Sequence, residues 1–513
     1  MEKETLISKD MPHLPKSYWL ESVSIDSFPK LTGDIEAEVV VVGGGISGIT
    51  SAYLLAKEGL NVVLLEAGYL FNGTTGHTTA KITAQHDLIY DELIQNFGKE
   101  KAQLYYKSND EALQFIKQTI KQHDIQCNFI EKDAYIYTNS ETIIKRLENE
   151  QNAYDKLEIH GNMVSQIDLP VPIKAAIVMQ NQAQFHPLEY LKKLVQLFIQ
   201  AGGHIYEHTT VETVEDDTQP VVVTSDGHKI TCKHVVSCSH FPCMDGMGFY
   251  FARMHAERSY VIGVKSKSSD LNGMYLSADD PKRSVRTTTL SSGDNLILIG
   301  GESHKTGQGI CTIKHYEALQ AFAHTTFGIQ EFPYRWSAQD LVTLDKIPYI
   351  GQISSVTPNV YVATGYRKWG MTTGTAAAIL LRDLIIGKEN AYQDLYTPSR
   401  FHAFPDVKTF IYQNVDVAKH LISGKLEIVH KLPKDLANDE GAVVSVNGKR
   451  AGAYRDEQGT LHVVDTTCTH MGCEVEWNVG DRSWDCPCHG SRFSIDGDVL
   501  EGPATKPLKQ IIQ

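Results

Sequence analysis

Basic residues are in the minority in this sequence of 513 residues. Its 48 Lys and Arg stand against 62 Asp and Glu, and the formal net charge is −14. Because a nucleic-acid partner normally requires a basic face, we expect no nucleic acid among the partners. Internal repeats and low-complexity tracts are also missing. The length predicts about three domains at the usual ~150 residues per domain, and 42% of the residues are apolar, enough to build their cores.

Signals for export and membrane insertion are lacking as well. Residues 1–30 mix charges and prolines without the basic start, apolar run and small-residue cleavage site of a signal peptide. The longest uncharged window, residues 39–56, has the length of a short membrane span. Its four glycines favour a buried turn between a strand and a helix instead. We therefore expect no membrane span and a cytoplasmic location.

Cysteine is scarce outside one short stretch near the C-terminus. Five of the nine cysteines are scattered, and we interpret them as ordinary buried or partly buried thiols: Cys127, Cys232, Cys238, Cys243 and Cys311. The other four lie within 21 residues: Cys468, Cys473, Cys486 and Cys488. Such clustering in a cytosolic chain indicates a metal or redox site rather than a general disulfide framework.

A glycine fingerprint follows the first strongly apolar run. Residues 38–66 read as strand, glycine turn, helix and strand, with Gly43-x-Gly45-x-x-Gly48 between the first strand and the helix. The first glycine permits a tight turn, the second lets the backbone approach a pyrophosphate, and the third lets helix and strand pack. Glu66, at the end of the second strand, would accept hydrogen bonds from the ribose hydroxyls, and its negative charge would repel a 2′-phosphate. The pattern predicts dinucleotide binding; its alternative is a glycine-rich packing turn.

The rest of the chain divides into stretches with different patterns of apolar and polar residues. We predict mostly helices from Asp87 to about Glu158 and an antiparallel sheet between about Gly161 and Gly351. Residues 359–387 read as strand, glycine-bearing turn and long helix, with Gly387 as its C-cap. A helical segment follows Pro405, and short strands dominate from Leu426, including a hairpin at Asn447-Gly448. We place a domain boundary near residue 424.

Residues 17–400 resemble the FAD-dependent amine and amino-acid oxidase family, which includes D-amino-acid, sarcosine and glycine oxidases. The resemblance is carried by DIEAEVVVVGGGISG, FNGTTGHTTAK, FHPLEYLKKL, EHTTVETVE, RWSAQDLVTLDKIPYIG and GYRKWGMTTGTAAAILL. It implies a Rossmann-like FAD-binding domain with an interleaved antiparallel-sheet substrate domain, and an extended FAD. A second glycine fingerprint for a nicotinamide is absent, which disfavours NAD(P)H.

The resemblance also assigns residues. The ADP half of FAD is assigned to the glycine turn and to the acidic residue that ends the next strand: Gly43, Gly45, Ser47, Gly48 and Glu66. Val211 offers backbone to the adenine, and the flavin ring is approached by Gly370, Met371 and Thr372. Thr75 and His77 lie beside the flavin, and His77 is either a covalent tether or a hydrogen-bonding neighbour. Candidates for anchoring a substrate carboxylate or shaping the pocket are Tyr260, Arg335 and Lys368, each with a structural or solvent-facing role as its alternative.

The C-terminal cluster has the spacing Cys468-x-His470 and Cys486-x-x-His489. Two thiolates and two imidazoles in this order fit a Rieske [2Fe-2S] centre, in which neutral histidines replace two anionic cysteines on one iron, so that the cluster accepts an electron more readily than an all-cysteine cluster does. Structural zinc uses the same ligand types, but it rarely has this spacing within two Gly-bearing loops.

Residues 428–513 resemble the Rieske family. The resemblance implies a disulfide between Cys473 and Cys488, with two free thiols as the alternative. Ser491 matches a serine that hydrogen-bonds a bridging sulfide, and Phe493 stands where high-potential members carry a tyrosine. Because donors to the cluster sulfur stabilise the reduced state, Phe493 predicts a lower potential within the Rieske range.

We therefore expect an α/β plus β protein in three parts: an N-terminal extension (1–35), an FAD-dependent oxidoreductase (36–424) and a small all-β Rieske domain (425–513). Within the oxidoreductase we assign FAD-binding segments at about 36–110, 181–240 and 336–400. The substrate-domain segments are at about 111–180 and 241–335.

The combination predicts an enzyme that oxidises the C–N bond of a small amine or amino acid by hydride transfer to FAD. Electrons would pass to the Rieske cluster and then to oxygen or an unidentified acceptor. A ring-hydroxylating oxygenase is disfavoured, because no Asp or Glu with paired histidines is present to hold a mononuclear iron. The alternative is an electron-transfer or redox-sensing protein without amine oxidase activity.

Overall fold

A computed structural model describes residues 11–216, 219–244, 248–266, 271–309, 311–400, 414, 417 and 429–511. The predicted boundary near residue 424 and most of the helix predicted after Pro405 lie outside these residues. None of the described helices has both the length and the apolar character that crossing a bilayer requires.

The glycine turn follows one strand of a six-stranded sheet. In spatial order its strands are β10 (His204–Tyr206), β3 (Val62–Leu65), β2 (Val39–Val42), β14 (His234–Ser237), β21 (Thr357–Thr364) and β20 (Tyr349–Ser354). All pairs are parallel except β20 with β21. The residues of β2 and β3 are all buried, as continuous apolar runs covered on both faces require. The strands come from all three predicted FAD-binding segments, although the domain division itself stays a prediction.

Nine α-helices lie within the described ranges. They are α1 (Tyr18–Ser22), α2 (Ile46–Lys57), α3 (Tyr90–Gln122), α4 (Glu141–Leu157), α5 (Pro187–Gln200), α6 (Tyr250–Arg253), α7 (Ile313–Phe327), α8 (Gly370–Ile385) and α9 (Gln393–Tyr396). The buried helix α2 packs against α5 and α8. After α8, Gly387 has a positive φ of 72° and ends the helix as predicted.

A second sheet of eight strands forms the wall opposite the nucleotide-binding half. In spatial order it contains β19 (Ile329–Thr343), β15 (Met254–Ser266), β18 (Asn295–Lys305), β17 (Arg283–Thr289), β16 (Gly273–Ser277), β6 (Asp133–Thr138), β8 (Ala175–Met179) and β7 (Gly161–Val164). Its pairs are antiparallel except β6 with β16. The long pair β15 and β19 carries many of the polar residues discussed below.

Two smaller sheets complete the predicted oxidoreductase part, residues 36–424. One has four strands in the order β1 (Ile35–Glu36), β13 (Lys229–Thr231), β12 (Pro220–Thr224) and β11 (Val211–Asp216). The other has three, in the order β4 (Lys81–Ile82), β9 (Ala183–Gln184) and β5 (Ile130–Glu131).

The structure differs from the sequence expectation in two stretches. The region predicted as mostly helical contains β5 and β6 between α3 and α4; β6 completes the large sheet by pairing with β8 and β16. The region predicted as an antiparallel sheet contains α5 and α7, and its strands β10 and β14 belong to the parallel sheet. For the strands, pairing with distant segments, which local periodicity does not report, decides the outcome. Helix α5 instead follows a local signal, because its buried residues recur at helical spacing.

The C-terminal part contains two small antiparallel sheets. The first has the order β22 (Glu440–Val446), β23 (Lys449–Arg455) and β24 (Leu461–Val464), and the second β25 (Glu476–Asn478), β26 (Ser483–Asp485), β27 (Arg492–Phe493) and β28 (Val499–Glu501). Asn447 and Gly448 both have positive φ, at 50° and 75°, as the predicted hairpin turn requires.

Candidate functional site: a cavity shared by two domains

One large cavity, of about 1090 Å³, connects the glycine turn, the eight-stranded sheet and the C-terminal domain. Its wall includes Gly43, Glu66 and Gly370 from the nucleotide-binding half, and His470 and Glu501 from the C-terminal half. The two halves are joined by buried polar contacts as well. Tyr316 Oη donates to Asp481 Oδ1 over 3.0 Å, for example.

The glycine turn is built for close backbone approach. Gly43 has φ +108°, and a Cβ there would lie 2.6 Å from the Cys238 carbonyl oxygen. A Cβ on Gly48 would lie 1.8 Å from the Gly43 carbonyl oxygen. Gly48 therefore serves helix packing and is not part of the cavity wall, whereas Gly43, Gly45 and Ser47 line it at the N-terminus of α2. A helix N-terminus of this kind suits the pyrophosphate of FAD.

Glu66 lies directly after β3 and lines the cavity. Its Oε2 accepts a hydrogen bond from the Gly44 N–H over 2.7 Å, and its Oε1 accepts one from the Gly68 N–H over 2.8 Å. Burial raises the pKa of the Glu66 carboxyl, while these backbone donors oppose the rise. Val211, the predicted adenine neighbour, also lines the cavity.

The predicted flavin-side segment forms the 3-10 helix Thr74–His77. Thr75 Oγ1 accepts from the N–H of Ile46 over 3.1 Å, and Trp336 Nε1 donates to the His77 carbonyl over 2.8 Å. His77 Nδ1 lies 2.9 Å from the Gly73 carbonyl, and burial lowers the pKa of its imidazole. Thr75 and His77 both line the cavity.

The start of α8 carries the three residues that the resemblance assigns to the flavin ring. Gly370 and Met371 line the cavity. Thr372 does not: it is buried behind the wall, where its hydroxyl donates to the Thr83 carbonyl over 3.0 Å and lies 3.1 Å from His86 Nε2. Because residues along a helix face different sides, Thr372 points away from its neighbours and towards this contact.

The three predicted substrate residues are not brought together. Tyr260 and Lys368 line the cavity; Tyr260 Oη lies 2.9 Å from His304 Nε2, and Lys368 Nζ contacts Ser303 Oγ. Arg335 is fully buried elsewhere, and its guanidinium donates to the carbonyls of Pro12, His13 and Gly480. With its donors occupied in this way, Arg335 joins the N-terminal segment to the C-terminal domain and does not offer a free cation to a substrate.

Sequence analysis did not identify two further residues of the cavity wall. Lys81 lines the cavity and donates to the Tyr275 carbonyl over 2.8 Å, and no carboxylate lies within ion-pair distance of it among the residues described. Burial, together with the nearby Arg286 charge, lowers the pKa of Lys81 to about 7. Asp340 lines the same cavity although it is only 6% exposed. The sequence signals, a lysine after FNGTTGHTTA and an acid in a β-branched run, are weak on their own.

The four predicted cluster ligands converge at the tip of the C-terminal domain. Cys468 and Cys486 are buried in one core, and the neighbouring Cys486 thiol lowers the pKa of the Cys468 thiol. The rings of His470 and His489 are 5.0 Å apart at an angle of 89°. His489 Nδ1 is buried without a hydrogen-bond partner within the described part of the chain. An orphaned imidazole nitrogen beside two close thiols fits the donor set of a [2Fe-2S] cluster.

Cys473 and Cys488 form the disulfide that the resemblance implies, and the sulfurs of Cys473, Cys486 and Cys488 lie within 4.8 Å of one another. The tip is packed against the oxidoreductase half. A Cβ on Gly490 would lie 2.6 Å from the Cβ of Ala256, and the ring of Phe251 lies 5.6 Å from that of His489. The predicted ligands are therefore covered by the other half of the protein, with His470 at the cavity wall.

Comparison with known proteins agrees with both halves. The DAO family model, described as FAD dependent oxidoreductase, matches residues 38–384, and the Rieske [2Fe-2S] domain model matches residues 427–511. The chain therefore belongs to the DAO family of FAD-dependent oxidoreductases and carries a C-terminal Rieske domain. These domains imply FAD and a [2Fe-2S] cluster as cofactors, which confirms both predictions.

The chain is similar to YhfW of Bacillus subtilis (strain 168), named as a Rieske 2Fe-2S iron-sulfur protein, with 52% identity over 497 residues and 97% of each chain covered. It is 23% identical over 409 residues to gamma-glutamylputrescine oxidoreductase of Escherichia coli (strain K12), covering 77% of this chain and 94% of that one. Among solved structures, glycine oxidase from Geobacillus kaustophilus has the same fold over 72% of this chain and 100% of its own, with a TM-score of 0.62 and 18% identity.

Proposed function

We propose that this protein oxidises the C–N bond of a small amine or amino acid by hydride transfer to FAD, and that the electrons pass within the chain to the Rieske cluster. The observation that carries the proposal is the shared cavity. Its wall contains both the FAD-family elements around Gly43, Glu66 and Gly370 and the predicted cluster ligand His470. FAD supplies hydride acceptance when bound, and the cluster supplies one-electron transfer.

The site residues keep the roles assigned from the resemblance as part of this proposal. The glycine turn, Glu66 and Val211 hold the ADP half, and Thr75, His77, Gly370 and Met371 flank the flavin. Cys468, His470, Cys486 and His489 bind the cluster. Tyr260 and Lys368 shape the substrate end, where both line the cavity.

Lys81 favours an amino acid over a simple amine as the substrate. A lysine withdrawn from solvent normally has a carboxylate partner, and none lies within ion-pair distance of the half-buried Lys81 or of the fully buried Arg286 in the described ranges. A substrate carboxylate would supply that partner and restore the charged state of Lys81. The names of two relatives, glycine oxidase and gamma-glutamylputrescine oxidoreductase, agree with a substrate that carries both an amine and a carboxylate.

An anaerobic mixing experiment tests the proposal. Protein shown to contain flavin and iron is mixed with amines, N-methyl amino acids and polyamines, while flavin absorbance and the EPR signal of the reduced cluster are followed. We expect an amino acid to bleach the flavin and the cluster signal to rise afterwards. If no amine reduces either centre while dithionite reduces both, the carrier function without amine oxidation takes its place.

A further inference from the structure

Two carboxylates face each other across neighbouring strands of the cavity wall. Glu257 on β15 lies directly opposite Asp340 on β19, and both residues line the cavity. Like charges directly opposite each other in a sheet are destabilising. Such a pair is stable when cations compensate both charges or when one of the two carboxyl groups is neutral.

The polar partners of this pair contact Glu257. His255 Nε2 lies 3.3 Å from Glu257 Oε1, and Lys368 Nζ lies 3.9 Å from Glu257 Oε2. Burial opposes the ionisation of Glu257, but the His255 hydrogen bond and the Lys368 charge outweigh it and lower the pKa of this carboxyl to about 2. Glu257 is therefore the ionised member of the pair.

Asp340 lacks such partners. It is 6% exposed, and none of the described residues forms a hydrogen bond or ion pair with its carboxyl group. The charge of Arg258 is already engaged by Glu501, whose Oε2 accepts from Arg258 Nη2 over 2.7 Å. Burial, with smaller contributions from Glu257 and Glu501, raises the pKa of Asp340 to about 7, against the opposing effects of Lys368 and Arg258. Two carboxyl groups whose environments separate their pKa values in this way are typical of a proton-transfer site.

The position of Asp340 suggests which proton it handles. Its cavity is also lined by His77, on the predicted flavin side, and by His470, a predicted cluster ligand. We propose that Asp340 accepts the proton that leaves the reduced flavin when electrons pass to the Rieske cluster, and then releases it to water in the cavity. The inference rests on the proposed electron relay, and it assigns to that relay a proton path within this chain.

The step moves one proton and two electrons. The anionic reduced flavin carries one proton more than the oxidised flavin, on N5, and Asp340 would take up this proton when the N5–H bond breaks. The two electrons leave in turn through the cluster to an external one-electron acceptor, for which ferricyanide serves as the probe. Asp340 begins each cycle ionised and ends it ionised, after the proton has passed to solvent.

The test uses the holoprotein without any amine. Flavin and cluster are photoreduced, the protein is mixed anaerobically with ferricyanide, and the reoxidation of each centre is followed from pH 5.5 to 8.5 in H₂O and D₂O. We expect flavin reoxidation to speed up as the pH rises through about 7 and to be slower in D₂O. Asp340→Asn should slow it about 100-fold, the lower end for a positioned proton-transfer group, and abolish the pH dependence. Asp340→Glu should restore much of the rate.

Infrared spectroscopy of the oxidised protein gives a readout independent of turnover. Burial raises the pKa of two carboxyl groups, Asp340 and Glu150, to about 7, so the wild type should show carboxylic-acid carbonyl bands from both that titrate near pH 7. Asp340→Asn should remove the Asp340 band and leave the Glu150 band. Asp87→Asn is the matched control, because Asp87 lines the same cavity but is paired with Lys282, which keeps its pKa low despite burial. This control should retain both bands.

Each adverse outcome has a distinct meaning. Wild-type flavin kinetics and pH profile in Asp340→Asn would overturn the inference. If that variant fails to hold FAD, the wild type decides: flavin reoxidation that is independent of pH between 5.5 and 8.5 rejects the role of Asp340. Fast flavin reoxidation in a cluster-free Cys486→Ser variant would reject the relay itself, and the amine chemistry would still be judged by flavin bleaching.

Discussion

The guanidinium of Arg258, fully buried on β15, donates a hydrogen bond of 2.7 Å to the carboxylate of Glu501 on β28. The pair links the sheet of the oxidoreductase half to the Rieske domain. Arg492 donates to the other oxygen of Glu501 over 2.9 Å, so the carboxylate bridges two arginines. Although burial opposes ionisation, these two charges lower the pKa of Glu501 to about 2.

Replacing Arg258 should lower the stability of the Rieske domain against urea. Breaking a buried ion pair by deleting one partner costs about 3–5 kcal/mol, and we expect Arg258→Leu to lie near the lower end because Arg492 still compensates Glu501. Urea-induced bleaching of the cluster absorbance measures the effect. Lys506→Ala is the matched control: it removes an exposed ion pair between the same halves, with Lys506 Nζ 3.0 Å from Glu212 Oε1, and exposed pairs contribute about 0–1 kcal/mol. Equal urea midpoints in the two variants would contradict the prediction.

Gly48→Ala should impair FAD binding. The added Cβ would lie 1.8 Å from the Gly43 carbonyl oxygen, so α2 or the turn must shift, and the helix N-terminus moves away from the pyrophosphate position. We expect FAD affinity to fall at least ~10-fold, equivalent to about 1.4 kcal/mol, as measured by fluorescence titration of the apoprotein. Gly73→Ala is the control, because a Cβ there meets nothing within 4 Å although Gly73 lines the same cavity. Similar FAD affinities in both variants would show that this packing is not needed for the cofactor.

Sequence reasoning worked best where the chemistry is local. The turn at Gly43 and Gly48 and the pairing of C-x-H with C-x-x-H are fixed by spacing over a few residues, because a pyrophosphate or a cluster demands particular backbone and donor geometry. The structure places Cys468 and Cys486 in the same buried core, although 17 residues lie between them in the sequence.

Residues whose roles depend on distant partners were not predictable. The role of Asp340 depends on Glu257, which β15 brings opposite it. The role of Lys81 depends on the absence of a carboxylate partner among the described residues. Arg335 shows the converse error: an arginine that binds three backbone carbonyls looks the same in sequence as one that binds a substrate carboxylate. Burial and partner identity are properties of the folded chain, and neither is encoded in a short motif.

Phe493→Tyr should raise the reduction potential of the cluster. Phe493 is fully buried and belongs to the same core as Cys468 and Cys486. A hydroxyl added to this ring brings a hydrogen-bond donor towards the cluster, and donors to the sulfur atoms stabilise the more negative, reduced state. An EPR-monitored redox titration measures the shift. Phe493→Leu is the control that changes packing without adding a donor; a potential that rises equally in both variants would point to packing rather than hydrogen bonding.

Binding of a carboxylate should depend on pH through Lys81. The pKa of this amine is lowered to about 7, chiefly by burial, so the free protein loses the attracting charge as the pH rises through that value. We therefore expect the affinity for a small carboxylate without an amine, such as propionate, to fall up to tenfold per pH unit above 7, as followed by perturbation of the flavin spectrum.

Lys81→Met should weaken propionate binding at pH 6 by about tenfold or more, since a hydrogen bond to a charged group contributes about 1.5–3 kcal/mol, and should remove most of the pH dependence. Lys346→Met is the matched control, because Lys346 lines the same cavity but its Nζ already lies 2.6 Å from Glu92 Oε2. Asp340 ionises in the same pH range, so the titration is repeated in Asp340→Asn. If the loss of affinity with pH disappears there and persists in Lys81→Met, the carboxylate site does not depend on Lys81.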